Sequence, residues 1–160
     1  MLAADGGKHT LIPYLTKLLP SEQQYLAKLW HKVRRDPSHV GKLKYFPNKS
    51  IRETEILAYG LKRFVWRHPD KAIRSYKQAQ KKFDFTQLQQ QQINEKFALA
   101  LSAKSHPQAQ AWLNKLELTS LNKSMLQWRL SQALKQNDWE RLIVDLKQLP
   151  SEYKDELQWK

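Results

Sequence analysis

The sequence predicts an all-α chain, built as an α-superhelix (solenoid) of antiparallel helix pairs with about ten helices. Three observations predict it. Only four glycines occur in 160 residues, and the seven prolines fall mostly at helix starts or breaks. No run alternates apolar and polar residues over the length of a convincing strand. One kind of corner also recurs, at Arg35-Asp36-Pro37, His68-Pro69-Asp70, Ser105-His106-Pro107 and Gln136-Asn137-Asp138. Proline cannot continue a helix but suits the first turn of the next one, so each corner reads as a hairpin between two helices.

Aligning the corners on Pro37, Pro69, Pro107 and Asp138 exposes a repeat. Eight and four residues earlier stand Leu29 and Val33, Leu61 and Val65, Leu99 and Ala103, and Leu130 and Leu134. The i, i+4 spacing puts each pair on one helical face. The corners are 32, 38 and 31 residues apart, within the range of helix-pair repeats.

Taken in order, residues 1–8 are expected to form a disordered or vector-derived lead, and residues 9–160 one α-superhelical domain. A first helix is expected from Thr10 to Leu19. Ser21 with Gln24 has the spacing of a capping box and starts a second, which reaches Arg35 with Tyr25, Leu26, Leu29, Trp30 and Val33 as its apolar stripe. Pro37 opens a short helix to Tyr45. Ser50 with Glu53 gives another capping box, for a helix to Arg67 that turns Ile56, Leu57, Gly60, Leu61, Phe64 and Val65 inward. Pro69 starts the next, with Ala72, Ile73, Tyr76 and Ala79 inward.

After the Phe83-Asp84-Phe85 turn, Thr86 caps a long helix through Ala103, whose glutamine-rich start faces solvent. Pro107 opens a helix with Ala111, Trp112, Leu113 and Leu116. Residues 119–123 connect it to a helix carrying Leu126, Leu130, Ala133 and Leu134. Asp138 starts the partner, with Leu142, Ile143, Leu146 and Leu149 inward. Pro150 opens a last helix, and the pattern stops uncapped at Trp159-Lys160, as expected of part of a longer chain.

Composition narrows the chemistry. Without cysteine there is neither a disulfide nor a thiol nucleophile. The five histidines are scattered, and Pro37 separates His31 from His39, so no metal-ligand spacing arises and no metal or cofactor is expected. No glycine-rich phosphate loop or nucleophile elbow is present. Glu53 and Glu55, two apart, point to different helical faces. No active site is visible in the sequence. Residues 1–8 lack the basic start and apolar stretch of a signal peptide, and no segment has the length of a membrane span.

Lysine and arginine total 28 against 15 acids, a formal charge of +13, which favours polyanions or acidic surfaces as partners. The six tryptophans suit a helix-packing core first, and stacking on bases or sugar rings second. Trp66, among Lys62, Arg63 and Arg67, is the candidate for an exposed role. Arg63, Trp66, Arg67, Lys71 and Arg74 are the candidate substrate-binding residues around one corner.

The ordered series Leu18-Leu19-Pro20, Arg35-Asp36-Pro37, Leu57-Ala58-Tyr59 and His68-Pro69-Asp70 resembles the helical domain of the soluble lytic murein transglycosylases (the Slt family). The resemblance continues in Trp128-Arg129-Leu130, Ala133-Leu134, Asn137-Asp138 with Arg141, Leu149-Pro150, and Glu156 with Gln158-Trp159. It implies a periplasmic parent whose U-shaped helical domain and linker domain close a ring, this chain being the later part of the helical domain, truncated before the linker domain. A separate lysozyme-like domain would cut the MurNAc–GlcNAc bond of peptidoglycan to a 1,6-anhydro product. The family's Glu-Ser-Ala-x-Asn and Gly-Leu-Met-Gln motifs do not occur here, so no catalytic residue transfers. The alternatives are a basic helical repeat that binds nucleic acid and a peptide-binding repeat of the tetratricopeptide kind.

Overall fold

The computed structural model describes residues 17–116 and 123–147, and all its regular structure there is helical, with no strand among the described residues. Among the described residues seven α-helices are seen: α1 (Ser21–Arg35), α2 (Ile51–Arg67), α3 (Pro69–Ala79), α4 (Gln87–Ala103), α5 (Ala109–Leu113), α6 (Lys123–Lys135) and α7 (Trp139–Lys147). Two 3-10 segments, Pro37–Gly41 and Leu43–Tyr45, join α1 to α2. The expected helix Thr10–Leu19, apart from a turn at residues 17–19, lies outside the described residues, as do the connection 117–122 and the helix expected from Pro150. The chain divides between Gln89 and Gln90 into two compact units.

In the first unit, α1 starts without the Ser21–Gln24 capping box. Pro20 is its N-cap and no side chain caps it; the Gln24 amide donates instead to the Leu19 carbonyl at 2.9 Å. Lys32, Arg34 and Arg35 fill its last turn, where cations complement the helix dipole. Asp36 then turns extended. Its carboxylate accepts from the Ser38 N–H at 3.0 Å and the Ser38 hydroxyl at 2.8 Å, which starts the first 3-10 segment. Those bonds, aided by the nearby His39 and Arg67, hold the Asp36 carboxyl below its ordinary pKa. The single short helix expected from Pro37 to Tyr45 is thus two tight 3-10 pieces broken at Lys42, the first of which carries the fully buried Val40.

The α2 helix buries Ile56, Leu57, Leu61, Phe64 and Val65, as its spacing predicts, and packs on α1, α3 and the first 3-10 segment. Gly60 is where the chain comes closest: an added Cβ would overlap a methyl of Val40 and one of Val33. Both valines are fully buried. Ile73, Tyr76 and Ala79 of α3 complete this core, with Phe83 edge-on to Phe46 at 6.2 Å and Phe85 edge-on to Tyr76 at 5.8 Å.

The Ser50 capping box is half formed. The Ser50 hydroxyl accepts from the Glu53 N–H at 3.2 Å, but the Glu53 side chain turns inward and is fully buried. The Tyr25 hydroxyl lies 2.8 Å from its Oε1 and 2.7 Å from the Tyr45 carbonyl, while Glu53 Oε2 has no hydrogen-bond partner. Burial, and then the bond and charge of Glu53, push the Tyr25 phenol well above its ordinary pKa.

This shift links stability to pH with a definite sign. A phenol whose pKa is higher folded than unfolded contributes stability that is present below the unfolded value, about 10, and lost as pH rises through the folded value. Thermal melts should therefore fall steeply above pH 10, and Tyr25→Phe should flatten that fall. Tyr76, raised by its own burial, keeps part of the slope. An unchanged slope in Tyr25→Phe would show that the bridge is not what titrates.

At the end of the first unit, Thr86 and Gln89 form a complete capping box for α4, most of which belongs to the second. The Gln89 N–H donates to the Thr86 hydroxyl at 3.2 Å, and the Thr86 N–H to Gln89 Oε1 at 3.0 Å. The helix buries Ile93, Phe97, Ala98, Ala100, Leu101 and Ser102, and the Phe97 ring lies 4.7 Å from Trp112 of α5. The α5 helix spans five residues, shorter than the stretch to Leu116 that the apolar spacing suggests, and its Ala111 is exposed. In α6 and α7, Leu130, Ala133 and Leu142 form a small core with Leu134 and Leu146 against it.

The corners here differ from those of the first unit. Ser105 and Asn137 are left-handed, with φ of 49° and 53°. His106 and Asp138 then donate back to the carbonyls of Leu101 and Ala133, the six-to-one bond of a Schellman ending. His106 and Asp138 are therefore equivalent, 32 residues apart, and each caps the next turn. His106 Nδ1 accepts from the Gln108 N–H at 3.1 Å and Asp138 Oδ1 from the Arg141 N–H at 3.2 Å. Aligning on Pro107 is one residue late. Eight and four before His106 stand Ala98 and Ser102, both buried, whereas Leu99 is half-buried and Ala103 exposed.

On α7 the expected inward Ile143 is 51% exposed, and Asp145 is buried in its place. The Asp145 carboxylate accepts both Nε and Nη2 of Arg129 at 2.7 Å. Arg129 also reaches the Leu113 carbonyl through Nη1, and Arg141 comes within 3.9 Å of Asp145 and bonds Asn114. One buried carboxylate thus ties α5, α6 and α7.

Candidate polyanion-binding surface

The five candidate residues sit around the corner at His68, on the last turns of α2 and the first turns of α3. Arg63 is half-buried and engaged. Its Nη1 donates to the Arg34 carbonyl at 2.6 Å and to the Tyr59 hydroxyl at 3.2 Å, and its guanidinium lies 5.5 Å from the Tyr59 ring. It satisfies a carbonyl at the C-terminus of α1 that the helix itself leaves open. Trp66 is 41% exposed. Arg67 is exposed and contributes to the low pKa of Asp36, so the corners at Asp36 and His68 are electrostatic neighbours. Lys71 and Arg74 are exposed on α3.

The structure extends this group along α3. Lys77, Lys81 and Lys82 are exposed; Lys71, Arg74, Lys77 and Lys81 recur every three or four residues, and Lys82 follows Lys81 directly. The backbone keeps a helical course past Ala79, the N–H groups of Lys82 and Phe83 donating to the Ala79 carbonyl at 2.9 Å. One turn rises about 5.4 Å, so Lys71, Arg74 and Lys77 stand roughly 5 Å apart along the helix axis, with Lys81 and Lys82 in the turn that follows. None of the five makes an ion pair among the described residues. Lys77 lies in the last turn, where the dipole welcomes it, but Lys71 lies in the first, where a cation is disfavoured. Asp70, in that first turn, and Asp84, beyond Lys82, are the acids bracketing the row.

The aromatic rings are mostly spoken for. Trp30 stacks on Tyr59 at 6.2 Å with Arg34 over it at 5.8 Å. Tyr45 has Lys32 over its face at 3.9 Å, and Trp112 has Lys115 at 3.9 Å. These cation–π contacts cover with the protein's own charges the faces that a base or sugar would stack on. Trp66 and Trp139 are the tryptophans most open to solvent among the described residues. No group of three or more His, Asp or Glu among them is placed to hold a metal, and no helix there is long and apolar enough to cross a membrane.

The row at Arg74, Lys77 and Lys81 is legible as spacing, since cations three and four apart fall on one face, but the corner at His68 is the more conspicuous sequence feature and masks it. The Arg129–Asp145 tie, 16 residues apart in sequence, leaves no periodic signal.

No protein-family model matches the chain, and no curated protein matches it in sequence. Among solved structures it is similar to an inactive mutant of the lytic transglycosylase Slt from Pseudomonas aeruginosa. The TM-score is 0.79 over 96% of this chain, at 19% identity. The two share a fold. The match spans 25% of that structure's chain, so the lytic-transglycosylase-like helical fold here corresponds to one part of a longer architecture. At this identity the likeness speaks for the fold alone.

Proposed function

We propose that the chain is a non-catalytic helical scaffold segment of a peptidoglycan lytic transglycosylase. On this reading its helix pairs continue a superhelical arc that helps to form a ring with the linker and catalytic domains of an exported, periplasmic parent. The bond-breaking glutamate resides in that further catalytic domain. The observation that carries the reading is the fold likeness to a lytic transglycosylase across nearly the whole chain. Lys71 and Arg74, exposed at the His68 corner and without an ion pair among the described residues, support a role in holding the strand, because the stem peptides of peptidoglycan carry free carboxylates. A nucleic-acid partner is the competing reading, and the capped faces of Trp30, Tyr45 and Trp112 speak against its stacking platform.

The test is a sacculus pull-down at low salt with the whole chain. The protein should sediment with sacculi and release no soluble muropeptides. Joint replacement of Trp66 by Ala and of Arg67, Lys71 and Arg74 by Glu should cut the bound fraction several-fold. Preference for an RNA or DNA duplex over sacculi at equal ionic strength would turn the assignment to the competing reading.

A further inference from the structure

We infer that the cationic face of α3 and its following turn reads the stem-peptide carboxylates of peptidoglycan and not its glycan. The inference rests on the function proposed for the chain and narrows it to one component of the polymer. The face comprises Lys71, Arg74, Lys77, Lys81 and Lys82, all exposed and without an ion pair among the described residues. Its other exposed positions are Asp70, Gln78 and Gln80, so the face contains no ring on which a pyranose could stack and no large apolar side chain.

What such a surface recognises is charge. Four of its five cations are lysines, mobile point charges on long stems, whereas arginine suits the planar, bidentate capture of one fixed oxyanion. Five cations spread along the helix and its following turn fit several carboxylates displayed on mobile branches better than one rigid ligand. In peptidoglycan the sugar backbone is uncharged once the lactyl groups are amide-linked, and the negative charge lies on the peptides. The residues engaged elsewhere agree with this division. Arg63 is committed to the Arg34 carbonyl, and the rings of Trp30 and Tyr59 lie against each other, so neither is free to meet a sugar.

The experiment compares intact sacculi with sacculi from which an amidase has removed the stem peptides, using the whole chain at low and at moderate salt. The wild type should bind intact sacculi, lose at least tenfold on the stripped glycan, and weaken as salt rises. Lys71→Gln, Lys77→Gln and Lys81→Gln together should lose about tenfold on intact sacculi. Lys96→Gln, Lys104→Gln and Lys135→Gln together remove the same charge from exposed positions elsewhere, and should change binding less than twofold. Equal retention on stripped glycan would overturn the inference while leaving the peptidoglycan reading standing. Equal losses in the two triple variants would overturn it in favour of an unlocalised charge effect. Failure of the wild type to bind sacculi of either kind would remove both claims.

Discussion

Asp145→Ala should be the most damaging single change in the described part of the chain. Asp145 is 1% exposed, and its carboxylate receives two 2.7 Å bonds from Arg129 with Arg141 beside it. Removing it leaves the Arg129 guanidinium without its counter-charge between α5, α6 and α7. Breaking one side of a buried pair costs about 3–5 kcal/mol, comparable to the whole stability of a small helical unit. Urea unfolding followed by circular dichroism should show a large drop in midpoint, or loss of the helical signal of this unit. The informative companion is the double replacement Arg129→Met with Asp145→Leu. Trading a whole buried pair for apolar side chains of similar size is often close to neutral, so the double variant should recover much of the loss. A drop below about 1 kcal/mol in Asp145→Ala would mean that the pair is solvated and its geometry incidental.

Gly60→Ala is the second. In an exposed helix this change stabilises by about 1 kcal/mol, because alanine has the better helix propensity. Here the new methyl would collide with methyls of Val33 and Val40, two fully buried, β-branched side chains with little freedom to swing aside. Overpacking of this kind costs about 1–3 kcal/mol, so the net effect should be a loss. Adding Val40→Ala, which removes one of the colliding methyls, should restore part of it, and that recovery separates a local collision from a general weakening. If Gly60→Ala melts at or above the wild-type temperature, the 3-10 segment does not press on α2 as the structure has it.

Much of the architecture could be read from the chain because helix starts and apolar spacing are local properties. Leu29 with Val33 and Leu61 with Val65 are buried as their spacing from Pro37 and Pro69 demands, and Thr86 caps α4 as its position suggests. The failures have equally local causes. At Pro107 the proline attracts the alignment, but the helix ends at the left-handed Ser105 two residues earlier, a conformation that serine does not advertise as glycine would. On α7, hydropathy places Ile143 inside and Asp145 outside, and the tie to Arg129 reverses both, because a paired carboxylate can be buried and a lone one cannot. Glu53 is legible as a cap partner and turns instead toward the Tyr25 hydroxyl, a contact 28 residues away in sequence. Of the candidate surface, the exposed Trp66, Arg67, Lys71 and Arg74 could be named from sequence, whereas the inward engagement of Arg63 depends on where α1 ends.

The guanidinium that closes α1 over Tyr59 has a wider implication. Together with Arg129 and Arg141, it is mortar between helices, and these three charges are spent inside the molecule. A formal charge of +13 therefore overstates what an approaching molecule meets, and much of the outward field belongs to lysines. Exchanging arginine for lysine in the mortar would loosen joints that need a planar fork, whereas the reverse exchange on the α3 face would keep its charge and leave the joints untouched.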